Sequence, residues 1–282
     1  MIDKEILEKT FKQITEEKTD MLITGFRDLD AVLSGVEKGD LITIGGRPAM
    51  GKTAFMTSIL YNFLKQDKKC LLFSLEISTS QYLKRLIAQI GEIELFSLNN
   101  CKVLDDKNKE EIKTALDIIS SCNLSIFDDT YKIEEILSRI ETEKPEYVFV
   151  DYLQLFDTPR KKQRSEAIAN IILDLKKIAK QNNCIIFILS QLSRALESRC
   201  DKRPMLSDLR ESGDIENISD VVIFIYRDEY YKCYADEEDY NFKKGKAEII
   251  VAKNKMGALA TISLLFRSSI AKFLEPIHYD VF

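Results

Sequence analysis

Uninterrupted apolar runs spaced by helical patterns constrain this chain more than anything else in it. LITIG at 41–45, CLLFSL at 70–75, LSIFD at 124–128, YVFVD at 147–151, CIIFILS at 184–190 and VVIFIY at 221–226 show little polar alternation. A strand that is apolar on both sides must be covered on both faces, which is the condition of a parallel sheet inside an α/β domain. The segments between supply the cover. Helices are expected from the end of a glycine-rich loop to about residue 65, then over 78–90, 107–121, 132–143 and 164–181. The last of these places Ile168, Ile171, Ile172, Leu175 and Ile178 on one side. Near the end the pattern changes, and AEIIVAK (247–253), ATISLLF (260–266) and AKFLE (271–275) read as a β-meander. No linker-like stretch divides the chain after residue 24. The expectation is therefore one α/β domain, a mostly parallel central sheet with helices on both faces and a C-terminal antiparallel extension.

Bulk properties narrow the function classes. No apolar run approaches the ~20 residues of a membrane span, and MIDKEILEKTFKQ lacks the apolar stretch of a signal peptide. The six cysteines (Cys70, Cys101, Cys122, Cys184, Cys200 and Cys233) form no C-x-x-C pair, and His278 is the only histidine. Structural zinc and histidine-based acid–base chemistry are thus disfavoured, and a reduced, cytoplasmic setting is expected. The net charge of −5 argues mildly against a nucleic-acid binder, but PRKKQR (159–164) and the stretch 193–210 are locally basic while DEEDY (236–240) is acidic. Residues 3–17 form a separate amphipathic helix with Ile6, Leu7, Phe11 and Ile14 on one face.

The chemistry centres on GGRPAMGKT, which follows the first apolar run directly. Gly46-x-x-x-x-Gly51-Lys52-Thr53 between a strand and a helix is a phosphate-binding loop. Its glycines let the loop's backbone N–H groups curl round an anion at the helix's positive end, and Gly46, Arg47, Pro48, Ala49, Met50, Gly51, Lys52, Thr53 and Ala54 are the residues expected to surround the nucleotide. Lys52 would neutralise the β- and γ-phosphates of ATP, and the Thr53 hydroxyl would hold Mg²⁺. In an open parallel sheet, ligands gather at the carboxyl ends of the strands. Three runs end there in a polar residue: Glu76, Asp151 and Gln191. Asp151 suits the magnesium, Glu76 the attacking water, and Gln191 a hydrogen bond to the γ-phosphate. Arg85 is either a further γ-phosphate contact or a surface arginine.

A glutamate after the second strand, apart from the Asp strand, suits the RecA-like group of P-loop proteins. TGFRDLD (24–30), GRPAMGKTAF (46–55), FSLEIS (73–78), VDYLQL (150–155), LSQLSR (189–194), DKRPMLSDLRESGDIE (201–216) and YRDEYY (226–231) together resemble the C-terminal motor domain of DnaB-type replicative DNA helicases. The resemblance implies a RecA-like domain over 21–282, preceded by a linker helix over 1–20. It also implies a six-membered ring that hydrolyses ATP to move 5′→3′ on single-stranded DNA. By the same resemblance, the loop holding Arg160, Lys161 and Lys162 and the segment with Arg210, Glu211 and Gly213 would face the DNA. Lys253 and Lys255 would complete the neighbour's ATP site, the second standing where the family commonly has arginine. Such proteins also contact primase or a loader through a helical N-terminal domain, which precedes the part matched here. Two other readings stay open: a RecA-like recombination or repair ATPase, and a nucleotide-switched, DNA-binding assembly protein without a motor cycle.

Overall fold

A computed structural model describes residues 22–158, 164–209, 213–231 and 243–276, with Lys4, Leu7, Glu8, Phe11 and Thr15 as further helical positions. The apolar runs become strands β1 (Leu41–Gly46), β2 (Cys70–Ser74), β3 (Leu124–Phe127), β4 (Tyr147–Asp151), β5 (Ile185–Gln191) and β6 (Val221–Tyr226). The meander supplies β7 (Lys246–Asn254), β8 (Ala260–Arg267) and β9 (Lys272–Leu274). Helices are α1 (Arg27–Val32), α2 (Lys52–Lys65), α3 (Thr79–Gly91), α4 (Leu95–Asn99), α5 (Asp106–Ser121), α6 (Ile133–Glu143), α7 (Arg164–Asn182), α8 (Gly213–Ile218) and α9 (Asp228–Tyr231).

Among the described residues one nine-stranded sheet runs β3-β2-β4-β5-β1-β6-β7-β8-β9. The pairs from β3 to β6 are parallel and those from β6 onward antiparallel. Burial follows that division. Every residue of β1, β2, β4 and β6 is buried, whereas β7 alternates between buried and half-buried positions. This is the difference between strands covered twice and a strand with one wetter face.

The pleat sends alternate residues into two cores. Tyr147, Phe149, Ile185, Phe187 and Leu189 face α2 and α3, while Val148, Val150, Ile186 and Ile188 face α6 and α7. On the first side Phe63 of α2 stacks on Tyr147 at 3.9 Å, and Phe149 stacks on Phe187 at 5.1 Å. On the second side α7 buries Ile168, Ile171, Ile172, Leu175 and Ile178, the residues its periodicity singled out. Cys70 and Cys184 are buried free thiols whose pKa burial pushes upward. Short helices α1, α4, α8 and α9 went unread in the sequence, because a turn or two carries too few apolar positions to show a period.

Candidate functional site

Strand order alone gathers the chemistry. β1 lies between β5 and β6, with Gly46 paired to Gln191, and β2 lies beside β4, with Ser74 paired to Asp151. The phosphate loop, Glu76, Asp151 and Gln191 therefore leave the sheet at one edge. The loop turns through left-handed backbone at Ala49 (φ 64) and Gly51 (φ 96). A Cβ at Gly51 would be strained by that φ and would also sit 3.2 Å from the Phe273 ring. Gly51 is the N-cap of α2 and no side chain caps the helix. Its first N–H groups are thus left for an anion.

Pro48, Ala49, Gly51, Lys52, Thr53, Ala54, Glu76, Arg85 and Gln191 line one cavity of about 470 Å³. Lys52 Nζ donates to the carbonyls of Gly46 at 2.8 Å and Arg47 at 3.3 Å. Burial pulls its pKa down to about 8, against the opposing pull of the Asp151 and Glu76 charges. Thr53 Oγ1 donates to Asp151 Oδ2 at 2.8 Å. Asp151 is 1% exposed, and its Oδ1 has no hydrogen-bond partner. Burial pushes its pKa up to about 6, with the Thr53 hydrogen bond pulling the other way and the Glu76 charge adding to the rise. A buried carboxylate oxygen left unpartnered beside a threonine hydroxyl fits a divalent cation, which would satisfy both.

Three residues of the loop motif stand off the cavity wall. Gly46 offers its carbonyl to Lys52, Met50 is packed into the core at 1% exposure, and Arg47 turns away to Glu197. Lys253 and Lys255 engage their own chain at the opposite edge of the sheet. Lys253 Nζ donates to the carbonyls of Glu216 and Asn217 at the end of α8, and Lys255 Nζ donates to Asp220 Oδ1 at 2.8 Å. Gly213 opens α8, while Arg160, Lys161, Lys162, Arg210 and Glu211 lie outside the described residues, as does most of the expected linker helix. Tyr226, Tyr230 and Tyr231 pack on one another instead of lining the cavity, and Arg203 lies over the Tyr226 ring.

Sequence reasoning missed part of the wall. Tyr152, Arg227, Phe266, Ser268 and Ala271 also line the cavity. The Arg227 guanidinium lies 4.2 Å from the centre of the Phe266 ring and donates to the Ala49 carbonyl at 3.2 Å. A flat cation over a flat ring at the mouth of a phosphate site is suited to a nucleobase. Arg227 stood in YRDEYY, but nothing in that run says it returns to the loop; only the pairing of β6 with β1 shows it.

Comparison with known proteins agrees with this geometry. The family described as "DnaB-like helicase C terminal domain" matches residues 22–275. The replicative DNA helicase DnaB of Helicobacter pylori strain J99 is 34% identical over 311 aligned positions, covering 96% of this chain and 64% of the relative. The replicative DNA helicase DnaC of Bacillus subtilis strain 168 is 36% identical, covering 96% of this chain and 61% of the relative. The chain thus spans just under two thirds of the length of these curated relatives. Among solved structures, a separately solved ATPase domain superposes with a TM-score of 0.89 at 33% identity, covering 97% of this chain and 98% of that one. A DnaB-like replicative helicase, solved in a study of its interactions with primase, gives 0.87 at 32% identity, covering 98% of this chain and 67% of that one. With the loop, the two carboxylates and the strand-end glutamine on one edge of a sheet of this order, the chain belongs to the DnaB-like helicase C-terminal domain family.

Proposed function

We propose that this chain is the ATP-hydrolysing motor of a replicative DNA helicase, working on single-stranded DNA as part of a ring. The observation that carries the reading is the Thr53–Asp151 hydrogen bond with its unpartnered carboxylate oxygen, set beside a lysine held on backbone carbonyls. Lys52 would exchange those carbonyls for phosphate oxygens, a move that restores its full charge. The uncapped start of α2 would donate backbone N–H groups to the same phosphates. Thr53 and Asp151 would hold Mg²⁺, which neutralises phosphate charge when bound. Glu76 is exposed on the cavity wall, where it would orient a water in line with the scissile bond. Gln191, on the strand beside the loop, would hydrogen-bond the γ-phosphate and lose that bond on hydrolysis. The stacked pair of Arg227 and Phe266 would offer an outer flat surface to the base.

Ring assembly, DNA in its channel and a primase or loader partner are carried over from the family. In such a ring Lys253 and Lys255 would leave their present partners for the neighbour's phosphates. The test is ATP turnover with and without single-stranded DNA, alongside strand unwinding, for the native chain, Lys52→Ala and Glu76→Ala. DNA-stimulated turnover in the native chain alone supports the motor. Turnover indifferent to DNA would favour the nucleotide-switched assembly protein, a reading kept in view by the pairing of Lys255 with its own Asp220.

A further inference from the structure

Arg47 sits inside the phosphate loop yet is 7% exposed and reaches no part of the cavity wall. Its guanidinium is committed elsewhere. Nε and Nη2 each approach Glu197 Oε1 at 2.8 Å, and Nη1 donates to the Leu192 carbonyl at 3.0 Å. The register explains why. Gly46 and Gln191 are the last paired residues of β1 and β5, so Arg47 and Leu192 are the first to leave the sheet, side by side. Arg47 staples those two departing backbones together.

What it staples is a clipped unit. After Leu192 the chain makes a 3-10 turn over Arg194–Ser198 that carries Glu197. It then doubles back, so that Leu192 bridges Leu209 and Ser193 N donates to the Asp208 carbonyl at 2.8 Å. Arg199 grips the Asp208 carboxylate at 2.6 and 3.3 Å, and Arg203 forks onto Glu248 of β7 at 2.6 and 2.7 Å. Residues 192–209 therefore form a loop closed on itself, joined to the phosphate loop by the Arg47 fork. A planar five-donor guanidinium fixes direction as well as distance, which a lysine at this position would not.

We propose that Arg47 and Glu197 are positioning residues that pass the state of the phosphate loop to the 192–209 unit. A nucleotide that reshapes the loop when Lys52 lets go of the Gly46 and Arg47 carbonyls drags the Arg47 backbone, and the fork moves the unit with it. This rests on the proposed nucleotide site but not on DNA or on ring assembly.

The chain contains no tryptophan, so Met205→Trp, at an exposed position of the unit, gives a single tryptophan that can be excited selectively over the tyrosines. Its emission is followed while a non-hydrolysable ATP analogue with Mg²⁺ is added; affinity is measured separately with a fluorescent analogue. In the Met205→Trp parent the emission shifts on binding. Adding Glu197→Ala removes at least about two thirds of that shift while affinity changes less than about twofold; Glu197→Gln, which keeps one acceptor oxygen, removes less. Arg47→Ala combined with Glu197→Ala adds no further loss of the shift, the non-additivity expected of partners in one contact. A staple with only a structural role would lower the thermal midpoint of the Glu197→Ala protein and leave the shift intact. An intact shift, or a parent that binds the analogue without any shift, overturns the proposal. A parent that fails to bind the analogue is a different result, because it sinks the nucleotide site itself.

Discussion

Two buried carboxylates at opposite edges of the same sheet show how this fold separates chemistry from structure. Asp151 ends β4 at 1% exposure, and Asp220 precedes β6 at 7%. Each lies near lysine, and burial pushes the pKa of each upward. At Asp220 hydrogen bonds win. Lys176 and the Leu41 N–H donate to Oδ2 and Lys255 to Oδ1, so its pKa ends below the ordinary carboxylate value. At Asp151 burial wins, because Thr53 serves one oxygen and the other is left unpartnered, and the pKa ends near 6. The filled hydrogen-bond set of Asp220 suits a structural staple, whereas the open oxygen of Asp151 suits the proposed cation site. Asp220, which also shares Lys176 with Asp40, ties the starts of β1 and β6 to α7.

Exchanging each carboxylate for its amide should pull the two regions apart. Asp151→Asn is expected to lower ATP turnover about a thousandfold, ~4 kcal/mol of barrier. Its ligand-free stability should hold or rise above pH 6, where the native carboxylate is ionised at a desolvated position. The sign follows from the raised pKa: ionisation of Asp151 disfavours the folded state as pH climbs through about 6. Steady-state turnover and chemical denaturation of the same preparation check both halves. Asp220→Asn should do the reverse and lose about 2 kcal/mol of stability, since an amide cannot accept from Lys176, Lys255 and the Leu41 N–H together and Lys176 keeps only Asp40 as counter-charge. Its affinity for a fluorescent ATP analogue should stay within about twofold. Equal losses of stability in the two amides would erase the distinction.

Much of the fold was legible because twice-covered strands leave an unbroken apolar signature, and β1, β4 and β6 needed almost no adjustment. The phosphate loop was legible for a similar reason, since its residues are adjacent in the chain. The rest of the site was not. Arg227 reaches the loop through β6, and Phe266 and Ala271 through the meander, so their approach depends on strand order that no local pattern records. Arg47 shows the converse, a motif residue whose side chain serves a different contact from its backbone. Lys253 and Lys255 showed their charge in the sequence, but not the carbonyls of α8 and the Asp220 carboxylate that hold them.

Two smaller effects sharpen the comparison. Nucleotide binding to the free protein should weaken below about pH 6, as Asp151 takes a proton, and above about pH 8, as Lys52 loses one. Each limb should approach tenfold per pH unit, measured by analogue titration from pH 5 to 9. A flat profile would mean that the two groups do not govern the site. Phe266→Ala should weaken nucleotide affinity about fivefold, ~1 kcal/mol, by removing the ring beneath Arg227. Turnover at saturating ATP should be preserved, as expected of a ring that serves the base and carries no part in the hydrolytic step.

The contact between Gly51 and Phe273 sets an order on the assembly of the phosphate loop's surroundings. The Phe273 N–H also donates to Ser58 of the phosphate-loop helix across 215 positions of sequence, and Gln89 bonds the carbonyl of Ala271. A ribosome therefore finishes the loop early and must make almost the whole domain before the strand that supports it emerges. Nascent chains halted before β9 should bind no ATP, because the loop would lack the ring that backs it.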